Sequence, residues 1–136
     1  MVALLGVLIT PDIAAEPTVL TGTVTHVRDG DTIEVIKIPI RLNGVSAPEL
    51  KEPLGHASKQ FMLDLVDDKN VRCKLTGVKT YDRFVGTCYL DGKDIGAVVI
   101  AAGLALDCPR YSSGRYTEFE LAEAREQIKL PGYCRK

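Results

Sequence analysis

Between Thr18 and Leu90 the period of the apolar residues changes twice, and that order restricts the fold more than any other feature of the chain. A Val/Thr-rich run covers Thr18 to Val27, a second covers Thr32 to Ile38 and a third Ile40 to Asn43, with Asp29-Gly30 and Asn43-Gly44 as punctuation. Alternating β-branched runs bounded by such dipeptides read as strands and turns. From Leu54 to Asp68 the period lengthens. Ala57, Phe61, Met62, Leu65 and Val66 recur at helical spacing, with Lys59, Asp64 and Asp67 between them, which makes an amphipathic helix. Period two returns over Asn70 to Leu75 and Phe84 to Leu90, on either side of a loop carrying Tyr81-Asp82-Arg83. Asp94 is suited to cap a short helix that puts Ile95, Val98, Val99 and Ala102 on one face and stops at Gly103. A last helix is expected from Thr117, where Thr117-x-x-Glu120 has capping-box form, to about Lys129. Pro131 forbids its continuation. Five strands with a helix between the third and fourth is the element order of an OB-type Greek-key β-barrel, an α+β fold with three helices at its ends.

The chain has 136 residues, enough for one domain and one core. With 46% apolar and 26% charged residues it is not a disordered chain. Seventeen Lys and Arg against 18 Asp and Glu leave a net charge of −1. A protein that coats nucleic acid through many phosphate contacts needs a cationic excess, so any nucleic-acid function has to be local.

Met1 to Ile9 is almost wholly apolar, and Ile13-Ala14-Ala15 would suit a signal peptidase, although the first positive charge is Arg28. Residues 1–15 therefore read as a truncated export signal or an apolar N-terminal strand, and residues 16–136 as a single domain. Cys73, Cys88, Cys108 and Cys134 lie 15, 20 and 26 residues apart. This spacing lacks the close pairs of a zinc site and suits two disulfides in an oxidising compartment, secreted or periplasmic. Of three possible connectivities, Cys73 to Cys88 is favoured because both fall on stretches that could pair as neighbouring strands. Cys108 to Cys134 follows by elimination.

Charge concentrates where strands end: Arg28-Asp29-Gly30-Asp31-Thr32, the segment from Arg41 to Glu49, and Tyr81-Asp82-Arg83. These types suit the cleavage of a phosphodiester. Glu49, after Pro48, could serve as a general base for water. Arg41 and Arg83 could bind the equatorial oxygens of the transition state through planar paired donors. Asp31 is the obvious oxygen ligand for a hard cation such as Ca²⁺.

On these motifs the chain resembles the thermonuclease family, the staphylococcal-nuclease-like domain, from about Thr18 to Lys129. The matching segments are Asp29-Gly30-Asp31-Thr32, Arg41-Leu42 with Pro48-Glu49, Tyr81-x-Arg83, Asp91-Gly92-Lys93 and Gly103-Leu104-Ala105. The resemblance implies a five-stranded OB barrel with three helices and Ca²⁺-dependent endonuclease hydrolysis of DNA and RNA. It implies Asp31 as a calcium ligand, Arg41 and Arg83 as the phosphate-binding catalytic arginines, and Glu49 as the general base. Ser46 stands where the family usually offers a second aspartate to the metal. A neutral hydroxyl is the poorer ligand, so weaker metal binding is expected at Asp31 and Ser46.

Tyr111 and Tyr116, beside Arg110 and Arg115, could stack on bases and contact phosphates, or cover the barrel under a loop pinned by Cys108. Glu118, Glu120, Glu123 and Glu126 read as a solvated helix flank. The first functional reading is a monomeric, metal-dependent phosphodiesterase acting on single-stranded or loosened DNA or RNA, with no membrane span. The alternative is a catalytically weak or silent OB module that binds nucleic acid or protein.

Overall fold

The computed structural model describes residues 3–9 and 18–136. The signal-peptidase site read at Ile13 to Ala15 lies outside them. Residues 3–9 form neither strand nor helix, and Leu4, Leu5, Val7, Leu8 and Ile9 are exposed.

Strand β1 (Val19–Asp29), β2 (Thr32–Val35) and β3 (Ile38–Leu42) form an antiparallel meander. Strand β5 (Asn70–Thr80) pairs with the first half of β1, and β6 (Arg83–Leu90) pairs with β5, both antiparallel. β6 also pairs in parallel with β3, Arg41 facing Val85. The pairing thus runs around a ring, β3-β2-β1-β5-β6 and back to β3, in the OB-type order expected. Inside it lie alternate residues of β2, β3 and β5 (Ile33 and Val35, Ile40 and Leu42, Val71 and Cys73), with Val24 and Val27 of β1 spaced three apart by an irregularity in its register with β2, all at most 2% exposed. Each such side chain contributes on the order of 2 kcal/mol by leaving water.

The helix expected at 54–68 is α1 (Gly55–Val66), which packs on β1 with Met62 and Val66 fully buried. Helix α2 (Ile95–Ala101) follows a short strand β7 (Lys93–Asp94). As expected, the Asp94 carboxylate accepts from the N–H groups of Gly96 and Ala97, and Gly103 takes the left-handed conformation (φ 77°) just past the helix. Two further short strands, β4 (Val45–Ser46) and β8 (Leu106–Asp107), pair with each other. They are too short to show a period.

The C-terminal third differs from expectation. A one-turn helix α3 (Pro109–Ser112) is followed by a 3₁₀ turn at Thr117–Phe119, and α4 spans only Ala122–Gln127. The residues of the expected capping box serve another group. The Thr117 hydroxyl donates to the Asp107 carboxylate at 2.8 Å, and Glu120 accepts the Asp107 N–H at 2.8 Å. Glu120 takes an extended conformation and its side chain is 4% exposed, so it does not belong to a solvated flank. Between β2 and β3 the strand expected to continue to Ile38 breaks at Ile36 and Lys37, both at positive φ (44° and 66°). Neither residue is the Gly or Asn that announces such a turn.

Cys73 and Cys88 face each other across β5 and β6 and are bonded; Cys108 and Cys134 form the second bridge. The latter holds a 3₁₀ turn, Gly132–Cys134, against α3.

Candidate active site

Two hairpin ends and one turn meet along the seam where β3 joins β6, around a groove of about 1180 Å³. The first is the β1–β2 turn. Gly30 is required there because a Cβ would collide with the Ser58 hydroxyl of α1 and the Ala47 side chain. Asp31 is thereby turned inward, 7% exposed. Its Oδ2 accepts from the Ala47 N–H at 2.9 Å and pairs with the Arg41 guanidinium at 3.1 Å. Its Oδ1 accepts from the Thr32 hydroxyl at 3.0 Å. Asp29 lies alongside, accepting the Asp31 N–H at 3.1 Å. Burial, with the Asp31 charge beside it, pushes the Asp29 carboxyl up to about 7.

Arg41 stands between the buried Ile40 and Leu42, so its side chain leaves the barrel on the groove side. Burial disfavours its charge, but Asp31 and the Tyr133 hydroxyl outweigh this and raise its pKa. It donates to the Val45 carbonyl at 3.1 Å and to Tyr133 at 3.4 Å. Arg83 opens β6 and is held by the Thr80 carbonyl and hydroxyl, both at 3.3 Å, and by the Thr32 hydroxyl at 3.4 Å. Thr32, the ladder partner of Arg41, therefore links Asp31 to Arg83. Sequence reasoning placed Thr32 in a motif but assigned it no role.

Glu49 is exposed in the turn before α1, where the Glu52 N–H donates to its carbonyl at 2.9 Å. Gly55 lets the helix start approach this turn, since a Cβ there would strike the Glu49 carbonyl. Asp31, Arg41, Glu49 and Arg83 all line the one groove. Ser46 does not: it is 2% exposed in β4, and Ala47 takes the wall beside Asp31. Asp82 also lines the groove but is held by Arg28, whose guanidinium donates to both its oxygens at 3.1 and 2.8 Å. This contact lowers the Asp82 carboxyl. Among the described residues no three His, Cys, Asp or Glu side chains converge as a metal cluster.

The aromatic expectations divide. Tyr111 lines the groove and is half exposed. Arg110 lies outside the groove, with its guanidinium 5.8 Å from the Tyr111 ring centre. Tyr116 is corrected: its ring is 1% exposed in the core, and its hydroxyl donates to Asp94 at 2.7 Å and accepts from Arg115 at 2.6 Å. Burial foremost, then the hydrogen bond to Asp94, raises its pKa. A side chain so placed cannot stack on a base. Tyr133 is a groove residue in contact with Arg41 that sequence reasoning missed. Its signal was Cys134, which anchors the tail that carries it.

Residues 39–130 match the family model described as staphylococcal nuclease homologue. A Rhizobium meliloti (strain 1021) protein named succinoglycan biosynthesis protein ExoI is 38% identical over 131 residues, 88% of this chain and 64% of its own length. A protein of Escherichia coli O157:H7 named uncharacterized endonuclease is 34% identical over 111 residues, 78% of this chain and 72% of its own. The Arabidopsis thaliana staphylococcal-like nuclease CAN1 is 35% identical over 69 residues, 51% of this chain and 21% of its own. The chain thus spans less than two thirds of the first and about a fifth of the last. With its OB-type ring, and the Asp31, Arg41, Glu49 and Arg83 side chains around one groove, the chain belongs to the staphylococcal nuclease homologue family.

Proposed function

We propose that the protein is a phosphodiesterase that hydrolyses DNA or RNA in this groove. The observation that carries the reading is the convergence of two arginines and one exposed carboxylate on one open groove. Glu49 is free to take the proton from water attacking phosphorus. Arg41 and Arg83 supply fixed N–H donors to the phosphoryl oxygens as their charge grows, and the hydrogen bonds that hold both side chains remove the need to reorganise. Asp31 orients Arg41 directly and Arg83 through Thr32. The groove takes single-stranded or loosened strands, with Tyr111 available to a base.

The donor set fits a hard cation with Asp29 and Asp31 as its protein ligands and Ser46 set back from the wall. Asp29 accepts the Asp31 N–H at 3.1 Å, which places the two carboxylates side by side at the groove. A bound Ca²⁺ would neutralise phosphate charge and acidify water. Two disulfides support a secreted or periplasmic setting, and no helix among the described residues is long and apolar enough to cross a membrane.

The test is cleavage of denatured DNA with Ca²⁺ titrated against chelator. Glu49→Gln is expected to lower the rate by about 10²- to 10⁴-fold, and Arg41→Lys to lower it severely. That no three acidic side chains converge among the described residues favours, as second reading, a silent binding module. Retained DNA binding with no cleavage at any Ca²⁺ concentration would establish that alternative and reject the first.

A further inference from the structure

The outer face of β5 carries a cationic run that the groove chemistry does not use. Alternate strand residues share a face, so Arg72, Lys74 and Thr76 project outward while Val71 and Cys73 are buried. Across the ladder on β6, the partly exposed Tyr89 stands opposite Arg72 and extends the same face, while Thr87, opposite Lys74, is buried beneath Arg115. The Lys74 ammonium lies 5.5 Å from the centre of the Tyr89 ring. A shallow cleft of about 510 Å³ runs over Arg72, Lys74 and Tyr89. Thr76, the next outward residue after Lys74, already lines the candidate active groove. The two clefts are therefore successive stretches of one sheet face, with about 13 Å of strand between Arg72 and Thr76.

The charges on this face are unspent. Arg28, Arg41 and Arg115 each pair with a carboxylate, whereas no ion pair among the described residues involves Arg72 or Lys74. Asp91 is the acidic residue of the cleft and leaves the cations in excess. In a chain of net charge −1, two free cations flanking a partly exposed tyrosine, in line with a groove for phosphodiesters, form a local track of the kind that holds a single strand.

We propose that Arg72, Lys74 and Tyr89 form an extended subsite for single-stranded nucleic acid leaving the active groove. The inference rests on the phosphodiesterase reading for the identity of the strand. Arg72 and Lys74 contact phosphates and Tyr89 offers its ring to a base. These contacts lie beyond the scissile bond, so they add affinity for long strands and leave the chemical step alone.

The test compares oligothymidylates of about 4 and about 20 nucleotides, lengths at the lower limit of and above a usual OB-fold footprint. Binding is read by fluorescence anisotropy with Ca²⁺ present, on a Glu49→Gln background. Arg72→Gln with Lys74→Gln is expected to weaken the long strand about tenfold and to lower the slope of log affinity against log salt by about 1.4, roughly 0.7 per lost phosphate contact. Affinity for the short strand, its cleavage with Glu49 restored, and the melting temperature are expected to stay unchanged. An unchanged long-strand affinity, or equal losses at both lengths, overturns the subsite. Failure of the unsubstituted protein to cut either length would instead reject the phosphodiesterase reading, and the anisotropy comparison would still decide whether this face binds a strand.

Discussion

Replacing Cys108 and Cys134 together by serine should separate the stability of the tail from that of the barrel. The bridge joins residues 26 apart. Closing a loop of that length removes about 3.5 kcal/mol of entropy from the unfolded chain, against about 3 kcal/mol for the 15-residue separation of Cys73 and Cys88. Both Cys108 and Cys134 are at most 1% exposed, so serine hydroxyls there add a desolvation cost. The expected loss is thus at least about 3 kcal/mol, or roughly a 10 °C fall in Tm for a domain of this size. Function is expected to fall as well. The same bridge holds the turn carrying Tyr133, whose hydroxyl accepts from Arg41 at 3.4 Å. Guanidinium unfolding followed by circular dichroism measures the first effect and DNA cleavage below the transition measures the second. A stability loss under about 1 kcal/mol would refute the loop-entropy reasoning. Full activity in the folded double variant would refute the link from the bridge through Tyr133 to Arg41.

Asp29 has a native pKa of about 7 against an ordinary 3.8, so the folded state binds the extra proton and stability falls as pH rises across that interval. Asp29→Asn, measured in chelator, is therefore expected to match the wild type near pH 4 and to gain about 4 kcal/mol above pH 7; a pH-independent difference would contradict the assignment. Tyr116→Phe leaves Asp94 without the hydroxyl it now accepts from, which should cost about 1 to 2 kcal/mol in chemical denaturation. Because the ring is buried away from the groove, kcat on DNA should not change. Lys37→Gly relieves a left-handed conformation at φ 66° and is expected to stabilise the β2–β3 hairpin by about 0.5 to 1 kcal/mol, read as a rise in Tm.

The strands, α1 and α2 were legible because each is written in local terms. Alternation over Thr18 to Val27, helical spacing over Ala57 to Val66, and the Asp94 cap need no knowledge of distant residues. The Cys73 to Cys88 pairing was legible for the same reason, once two neighbouring strands were recognised. The groove residues Asp31, Arg41, Glu49 and Arg83 were legible as types at strand ends, in a pattern with a chemical purpose. The break at Glu120 was not, because a capping box is a local signal, and here Asp107, ten and thirteen residues away, competes for both of its side chains.

By itself, then, the sequence determined the order of periods, the turn chemistry at Asp29-Gly30 and Asn43-Gly44, and the charged types at the strand ends. Tertiary structure alone decided that β3 closes on β6 and brings Arg41 beside Arg83, that Ser46 is set back from the wall, that Tyr116 enters the core, and that Tyr133 returns from the tail to Arg41. The physical reason is range. Periodicity and caps record free energy between residues a few positions apart, whereas burial, ring closure and the competition for a carboxylate depend on which distant groups arrive first at one point in space.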